Sequence, residues 1–271
     1  MILAVLDRPD AAAHVLAGAA RLAELTGARR INVLAIRTPP LSTIVPSEEV
    51  LTVPREQHIR EEETLRAAAL KQAFDTWSRA APAAGPTTEW ADIEGLADLL
   101  VGEWGQRADF IVLKRPTDHQ LEQERRAIHA ALFDTGRPVL VVPPDRSAAQ
   151  FGQRIAIAWR DDERTIKAVL SLLRCATEAR EIHVLAGTRD AARPPSLPAI
   201  LEEHGVAATL HVLQVTGQQA FGETLLQTAH RLGADMLVMG AFARHPLRSL
   251  ILGGVTRHML AHADLPVLMR H

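Results

Sequence analysis

The sequence predicts an α/β protein of two domains, each a five-stranded parallel sheet with helices on both faces. Short apolar runs alternate with longer helical patterns, and the second half of the chain repeats the order of the first. Strands that alternate with helices imply right-handed β-α-β units. The length of 271 residues suits two domains of ordinary size.

The predicted strands are short apolar runs rich in β-branched residues, typical of strands buried on both faces of a parallel sheet. They lie at residues 2–6, 31–36, 110–113 and 139–142, and then at 155–158, 182–185, 236–239 and 267–269. Apolar residues recur at helical spacing after the first strand of each half, and Asp161 or Asp162 is a candidate N-cap in the second. Each half therefore reads β-α-β-α-β-α-β-α-β.

The repeat rests on three blocks that occur in the same order in both halves. Residues 1–7 match 154–160, residues 107–113 match 233–239, and residues 137–142 match 265–270. A proline-rich polar stretch after the fourth apolar run marks the boundary. We therefore divide the chain into a first half, residues 1–146, and a second half, residues 147–271.

The halves differ most between their second and third strands. The first half has a long charged helix at about residues 54–79. Its acidic run Glu61-Glu62-Glu63 is interpreted as a solvated face, with a partner site as the alternative. The second half has a shorter segment with several prolines.

Composition excludes several classes of protein. The net charge of −2 gives no basic field for nucleic acid, and no apolar run reaches the roughly 20 residues that span a membrane. The first residues read as a strand rather than as a signal peptide. A single cysteine, Cys175, suits a reducing compartment, so a cytoplasmic protein is expected.

The segment that carries chemistry is the glycine loop, residues 240–256. Gly240 ends a predicted buried strand, and Gly253-Gly254 precede a helix that begins near Val255. Glycines let backbone N–H groups approach an anion, and a helix N-terminus adds unpaired donors. Arg244 stands in the loop, together with His245 and Arg248, and Arg257 follows it. The loop is either a phosphate site or a crossover that needs glycines to turn.

The loop resembles that of the universal stress proteins: Gly, two residues, Gly, nine residues, then Gly followed by Ser or Thr. Gly240 and Gly253 match the first and third glycines, Ala243 stands at the second, and Gly254 replaces Ser or Thr. Thr256 offers a hydroxyl in compensation, or caps the helix. The resemblance covers both halves in outline and is specific over residues 234–271.

The resemblance implies two flavodoxin/Rossmann-like (HUP-type) domains arranged as a pseudo-dimer through their last strands. It also implies an ATP site in the second half, formed by Gly240, Ala243, Arg244, Gly253, Gly254, Val255 and Thr256. The family members that bind nucleotide are similar in carrying an Asp at the end of the first strand. Asp7 holds that place in the first half, where no glycine loop follows, so we interpret it as a helix cap or a relic; Trp159 holds it in the second.

The expected function is a nucleotide-binding stress-response module, with slow ATP hydrolysis at most and no metal beyond Mg²⁺ on the nucleotide. The alternative is a stress protein that acts through partner surfaces. An adenylating ligase is a more distant third possibility, because this chain lacks the phosphate loop that such ligases carry after the first strand. A homodimer is the default assembly. We assign no catalytic residue, and we interpret Cys175 as a buried structural thiol and His258 and His262 as a surface pair rather than a metal site.

Overall fold

A computed structural model describes residues 1–43, 52–82, 84–117, 122–190, 195–215, 218–241 and 253–271 of the chain. The strands are β1 (Ile2–Leu6), β2 (Arg30–Arg37), β3 (Thr87–Glu94), β4 (Phe110–Lys114), β5 (Val139–Val142), β6 (Arg154–Trp159), β7 (Glu181–Thr188), β8 (Thr209–Gln214), β9 (Met236–Gly240) and β10 (Val267–Arg270). The helices are α1 (Pro9–Thr26), α2 (Val53–Ala80), α3 (Ala97–Gly105), α4 (Glu122–His129), α5 (Glu163–Leu173), α6 (Ala199–Glu203), α7 (Gln218–Arg231) and α8 (Gly254–His262). A 3-10 turn at Pro40–Thr43 and a π-helical turn at Ala130–Asp134 complete the described elements.

All ten strands form one sheet, in the order β3-β2-β1-β4-β5-β10-β9-β6-β7-β8. The two expected five-stranded sheets are therefore parts of one ten-stranded sheet. The strands of each half do run in the order third, second, first, fourth, fifth, and all pairs within a half are parallel. The two sets become continuous because β5 and β10 pair with each other.

The pairing of β5 and β10, called the seam below, is antiparallel, with Leu140 opposite Leu268 and Val139 opposite Met269. All four of these side chains are fully buried. Four apolar residues form β5, and three apolar residues and Arg270 form β10. An unpaired last strand of this kind leaves a hydrophobic edge that favours pairing, and each half covers the edge of the other.

Helices cover both faces of the sheet, as predicted. On one face Leu16 of α1, Leu70 of α2 and Val169 of α5 belong to a single hydrophobic cluster that includes Leu140 and Leu268. The other cluster holds side chains of α3, α4, α7 and α8. Each cluster contains residues of both halves, so the core is continuous across the seam.

One aspartate in each half fixes the start of the first strand. The carboxylate of Asp235 accepts hydrogen bonds from the N–H groups of Gly152, Gln153 and Arg154, at 2.8 to 3.0 Å. Asp109, at the matching place in the first half, pairs with the amino group of Met1 at 2.6 Å. Asp109 and Asp235, which hold the same place in the matching blocks 107–113 and 233–239, therefore have a structural role.

The long charged helix of the first half is α2, and its acidic run is only partly solvated. Glu61 and Glu62 are exposed, as predicted. Glu63 is not: its carboxylate accepts from the N–H of Thr38 at 2.5 Å and from Arg66 at 2.6 Å. The interpretation of the whole run as a solvated face is therefore wrong at its last residue, which fastens α2 to the end of β2.

Candidate functional site

A cavity of about 580 Å³ opens at the carboxyl ends of the parallel strands in the second half. Its floor is formed where β6, β7 and β9 end, at Trp159, Gly187 and Gly240. In open α/β sheets this edge is the usual place for a ligand, because the crossover loops diverge there. The volume falls in the range of small-molecule sites.

The glycine loop contributes to the wall of this cavity. Five of the seven predicted site residues line it: Gly240, Gly253, Gly254, Val255 and Thr256. The other two, Ala243 and Arg244, lie outside the described residues, as do His245 and Arg248.

Helix α8 starts at the cavity. Gly253 is its N-cap and has no side chain to satisfy the first N–H groups, and the first helical bond runs from Arg257 N to Gly253 O at 2.9 Å. The N–H groups of a first helical turn lack partners within the helix and favour negative charge. Thr256 is fully buried and lies in the first turn of α8, so it is not the N-cap.

Gly240 lies where α5 closely approaches the end of β9. A Cβ at this position would lie 3.0 Å from both the N and the Oγ1 of Thr165. Asp162 caps α5, as predicted, and its carboxylate accepts from Thr165 N at 3.0 Å. The capped first turn of α5 brings Arg164 and Thr165 to the cavity wall.

The cavity is cationic. Arg160, Arg164 and Arg189 line it, and no carboxylate is among its described lining residues. Arg160 also pairs with Asp162, and Arg164 Nε donates to His271 Nδ1 at 3.1 Å. Guanidinium groups bind phosphate and carboxylate oxygens through paired N–H donors, so the charge suits an anion.

Two aromatic side chains complete the cavity. Trp159 ends β6, and Phe221 of α7 lies against Gly187, where a Cβ would be 2.6 Å from the ring. Sequence reasoning missed Phe221 and the three arginines as site residues. Arg160 follows a strand directly, which is a readable signal, whereas Phe221 reaches the cavity from α7, an element that does not adjoin the glycine loop in sequence.

Comparison with known proteins identifies the family. The model of the universal stress protein family matches residues 116–271, which is more than half of the chain. The chain belongs to the universal stress protein family. The match covers a single stretch, so it does not identify a second family domain in residues 1–115.

Solved structures agree with this fold. A universal stress protein from Archaeoglobus fulgidus DSM 4304 has a TM-score of 0.68 at 14% identity and covers 99% of this chain and 95% of its own. A functionally unknown protein from Pseudomonas aeruginosa PAO1 has a TM-score of 0.62 at 16% identity, with 99% and 91% coverage. At these identities the likeness shows the fold alone. No curated protein matches the chain.

In the first half of this universal stress protein, the side chain of Arg66 in α2 crosses the ends of β1 and β2. Arg66 Nη1 donates to Asp7 O at 2.7 Å, and its Nη2 donates to Ile36 O at 2.5 Å. Glu63 holds this guanidinium and also Thr38 N. The backbone groups that would otherwise face a ligand here are bound within the protein.

An ion cluster fills the ends of β1 and β4 in the first half. Lys114 Nζ lies 2.7 Å from Glu124 Oε2 and 3.4 Å from Asp7 Oδ2. The side chains of Lys114 and Glu124 are 2% and 4% exposed. Asp7 is therefore not a helix cap, since the N-cap of α1 is Arg8 without a side-chain bond, and the interpretation as a cap is wrong.

This environment raises the pKa of the Asp7 carboxyl group. Burial raises its pKa to about 6, against the opposing effect of the Lys114 ammonium, and Glu124 adds repulsion. The second carboxylate oxygen of Glu124, Oε1, is buried and has no hydrogen-bond partner among the described residues. The cluster thus combines one ammonium group with two carboxyl groups.

Replacing Asp7 with asparagine is expected to stabilise the protein near neutral pH. The folded state holds a proton up to about pH 6, whereas the unfolded chain releases it near the ordinary pKa of 3.8. The wild type therefore loses stability as the pH rises from about 4 to 6, by up to about 3 kcal/mol, and the variant does not. Urea denaturation of both proteins between about pH 4 and 8 measures the difference, and a difference that is constant with pH contradicts the assignment.

The other residues singled out in the sequence are Cys175 and the histidine pair of α8. Cys175 is fully buried, as predicted, and burial raises the pKa of its thiol to about 12. His258 and His262 have ring centroids 4.6 Å apart, and His258 packs on Gly222 of α7. Among the described residues no group of three or more His, Cys, Asp or Glu side chains is placed to hold a metal ion. No described helix is both long and apolar enough to cross a membrane.

Proposed function

We propose that this universal stress protein is a nucleotide-binding regulatory module with one site, in the second half. The observation that carries the proposal is the cavity at the ends of β6, β7 and β9, where the start of α8 and three arginines meet without a described carboxylate. Phosphate groups would bind at the N-terminus of α8, near Gly253 and Gly254. Trp159 and Phe221 also line the cavity, and their aromatic rings would stack on a base.

The ligand of this proposal is ATP, with Mg²⁺ bound to its phosphates. The site has no acid at the end of β6, because Trp159 stands there, and no carboxylate or nucleophile–base pair among its described residues. Hydrolysis would therefore be slow and incidental. The protein would act by being in a bound or an unbound state, as a regulator does, rather than by turnover.

The proposal includes the organisation of the chain as two tandem domains, 1–146 and 147–271, that form a pseudo-dimer. The matching strand order of the two halves and the antiparallel seam support it. A cytoplasmic location is part of the proposal, since the one cysteine is a buried free thiol.

Isothermal titration with ATP and Mg²⁺ tests the site. In Gly253→Val a side chain stands at the N-cap of α8, where the backbone must approach a phosphate, so affinity is expected to fall by at least about tenfold. Gly102→Val is the matched control, because a Cβ at Gly102 in α3 meets no atom within 4 Å. Its affinity is expected to equal that of the wild type.

Two results would overturn the proposal. Failure of the wild type to bind ATP would favour the alternative function, a stress protein that acts through partner surfaces. Equal loss in Gly253→Val and Gly102→Val would place the site elsewhere. Thermal unfolding of both variants establishes that each is folded before it is titrated.

A further inference from the structure

The three arginines of the cavity come from different places along its wall. Arg160 directly follows β6, Arg164 lies in the first turn of α5, and Arg189 directly follows β7. In the sheet, β6 lies between β9 and β7. Neighbouring strands are about 4.8 Å apart, so the end of β7 is roughly 10 Å from the end of β9. The positive charge is therefore spread across the cavity rather than gathered at one point.

Arg164 belongs to the side of the cavity where β9 ends. Its backbone carbonyl carbon would lie 3.1 Å from a Cβ at Gly240, the last residue of β9. Its Nε donates to Nδ1 of His271, which follows β10. The start of α8 lines the same cavity through Gly253 and Gly254. Arg164 and the start of α8 therefore suit the 5′-phosphate chain of a nucleotide.

Arg189 lies on the other side of β6, at the end of β7. Thr188 fixes the turn that carries it, because Thr188 Oγ1 donates to Asp190 O at 2.7 Å and accepts from Asp190 N at 3.1 Å. The Arg189 side chain is exposed and lines the cavity, and within the described part of the chain it forms no hydrogen bond or ion pair. Arg189 is therefore a cation that is available to a ligand.

The cavity offers a ligand no carboxylate among its described lining residues, and Asp161 and Asp190, each next to a lining arginine in the sequence, do not line it. The segments 191–194, 216–217 and 242–252, which are close to lining residues in the sequence, contain no Asp or Glu. In dinucleotide-binding α/β folds a carboxylate binds the ribose 2′-hydroxyl of NAD, whereas a nearby arginine accommodates the 2′-phosphate of NADP. The charges of this cavity follow the second pattern.

We infer that the cavity binds preferentially a nucleotide with a phosphate on its ribose as well as at its 5′ position, and that Arg189 binds the ribose phosphate. This preference rests on the proposed function, since both concern the same site. The 5′-phosphate groups would lie at Arg164 and the start of α8, roughly two strand spacings from Arg189. A guanidinium group binds phosphate oxygens through paired N–H donors, so Arg189 would contribute geometry as well as charge.

Two isomeric ligands, ADP and adenosine 3′,5′-bisphosphate, test the preference by isothermal titration at one Mg²⁺ concentration. They contain the same atoms, and only the place of the second phosphate differs. The bisphosphate is expected to bind the wild type at least about tenfold more tightly than ADP, because its second phosphate reaches Arg189. Adenosine 2′,5′-bisphosphate is titrated in parallel, and tighter binding of either bisphosphate than of ADP supports the preference.

Arg189→Gln is expected to lower the affinity for the preferred bisphosphate by at least about tenfold and to leave the affinity for ADP unchanged. Arg189 is exposed, so the variant is expected to fold like the wild type. Arg180→Gln is the matched control, because Arg180 is also exposed but does not line the cavity. It is expected to bind all three ligands like the wild type. Thermal unfolding of both variants checks that each is folded.

The outcomes separate this preference from the proposed function. If the wild type binds ATP but binds neither bisphosphate more tightly than ADP, the preference is overturned and the nucleotide site remains. If the wild type binds no nucleotide at all, the proposed function itself fails. GTP provides a further check, because an arginine can also donate to O6 and N7 of guanine. A higher affinity for GTP than for ATP that is lost in Arg189→Gln would show that Arg189 contacts the base, and would overturn its assignment to a ribose phosphate.

Discussion

Replacing Lys114 with methionine is expected to destabilise the protein by about 3–5 kcal/mol, because it leaves the buried carboxylate of Glu124 without its counter-ion. The Lys114 ammonium is 2% exposed and lies 2.7 Å from Glu124 Oε2, so water cannot replace it without opening the fold. The loss should be smaller at about pH 5 than at about pH 8, since an unpaired buried carboxyl group takes up a proton at the lower pH. Urea denaturation at both pH values measures it.

The controls for this variant lie in the same chain. Lys167 pairs with Glu163 at 2.8 Å, but its side chain is 40% exposed, so Lys167→Met is expected to change stability much less. The double variant Lys114→Met with Glu124→Leu removes the stranded charge and should recover most of the loss. If Lys114→Met is as stable as Lys167→Met, the cluster does not hold the first half together.

Replacing Leu268 with alanine is expected to cost about 2–5 kcal/mol, because it opens a cavity in the seam. Leu268 is fully buried and pairs across the seam with Leu140, also fully buried. Since the core is continuous, the variant should still unfold in one transition. Denaturation is followed by circular dichroism and by tryptophan fluorescence, which reports mainly on the first half because Trp159 is the only tryptophan of the second.

The control is Leu99→Ala, because Leu99 is 67% exposed on α3 and its loss should change stability by no more than about 0.5 kcal/mol. Two separate transitions, one for each half, would contradict the continuous core. They would show that the seam joins two independent folding units.

The sequence predicted the buried strands because their environment leaves an unambiguous pattern. A strand with helices on both faces is apolar at nearly every position, as in β1 and β9. The predicted positions of these two strands agree with the observed ones. The edge strands β3 and β8 were implied by the repeat but were not located. Their side chains alternate between exposed and half-buried positions, with polar residues throughout, so neither forms a continuous apolar run.

Only part of the candidate site could be predicted from the sequence, for a related reason. Gly240, Gly253 and Gly254 have a fixed spacing within one loop, and such spacing is visible in a sequence. Arg189 and Phe221 reach the cavity from other elements, and only the packing of those elements places them there. The ion cluster of the first half could not be predicted for the same reason, since Asp7 follows β1, Lys114 ends β4 and Glu124 lies in α4.

The antiparallel seam has a consequence for how the protein can evolve. In a dimer of identical chains a substitution alters both copies of a site at once. Here the two halves have different sequences within one chain, and β5 of the first half pairs with β10 of the second. The ends of the strands in the first half can therefore accumulate Arg66, Lys114 and Glu124 while the second half keeps its glycines. On the proposed tandem organisation, a substitution at the strand ends of one half leaves the corresponding strand ends of the other half unchanged.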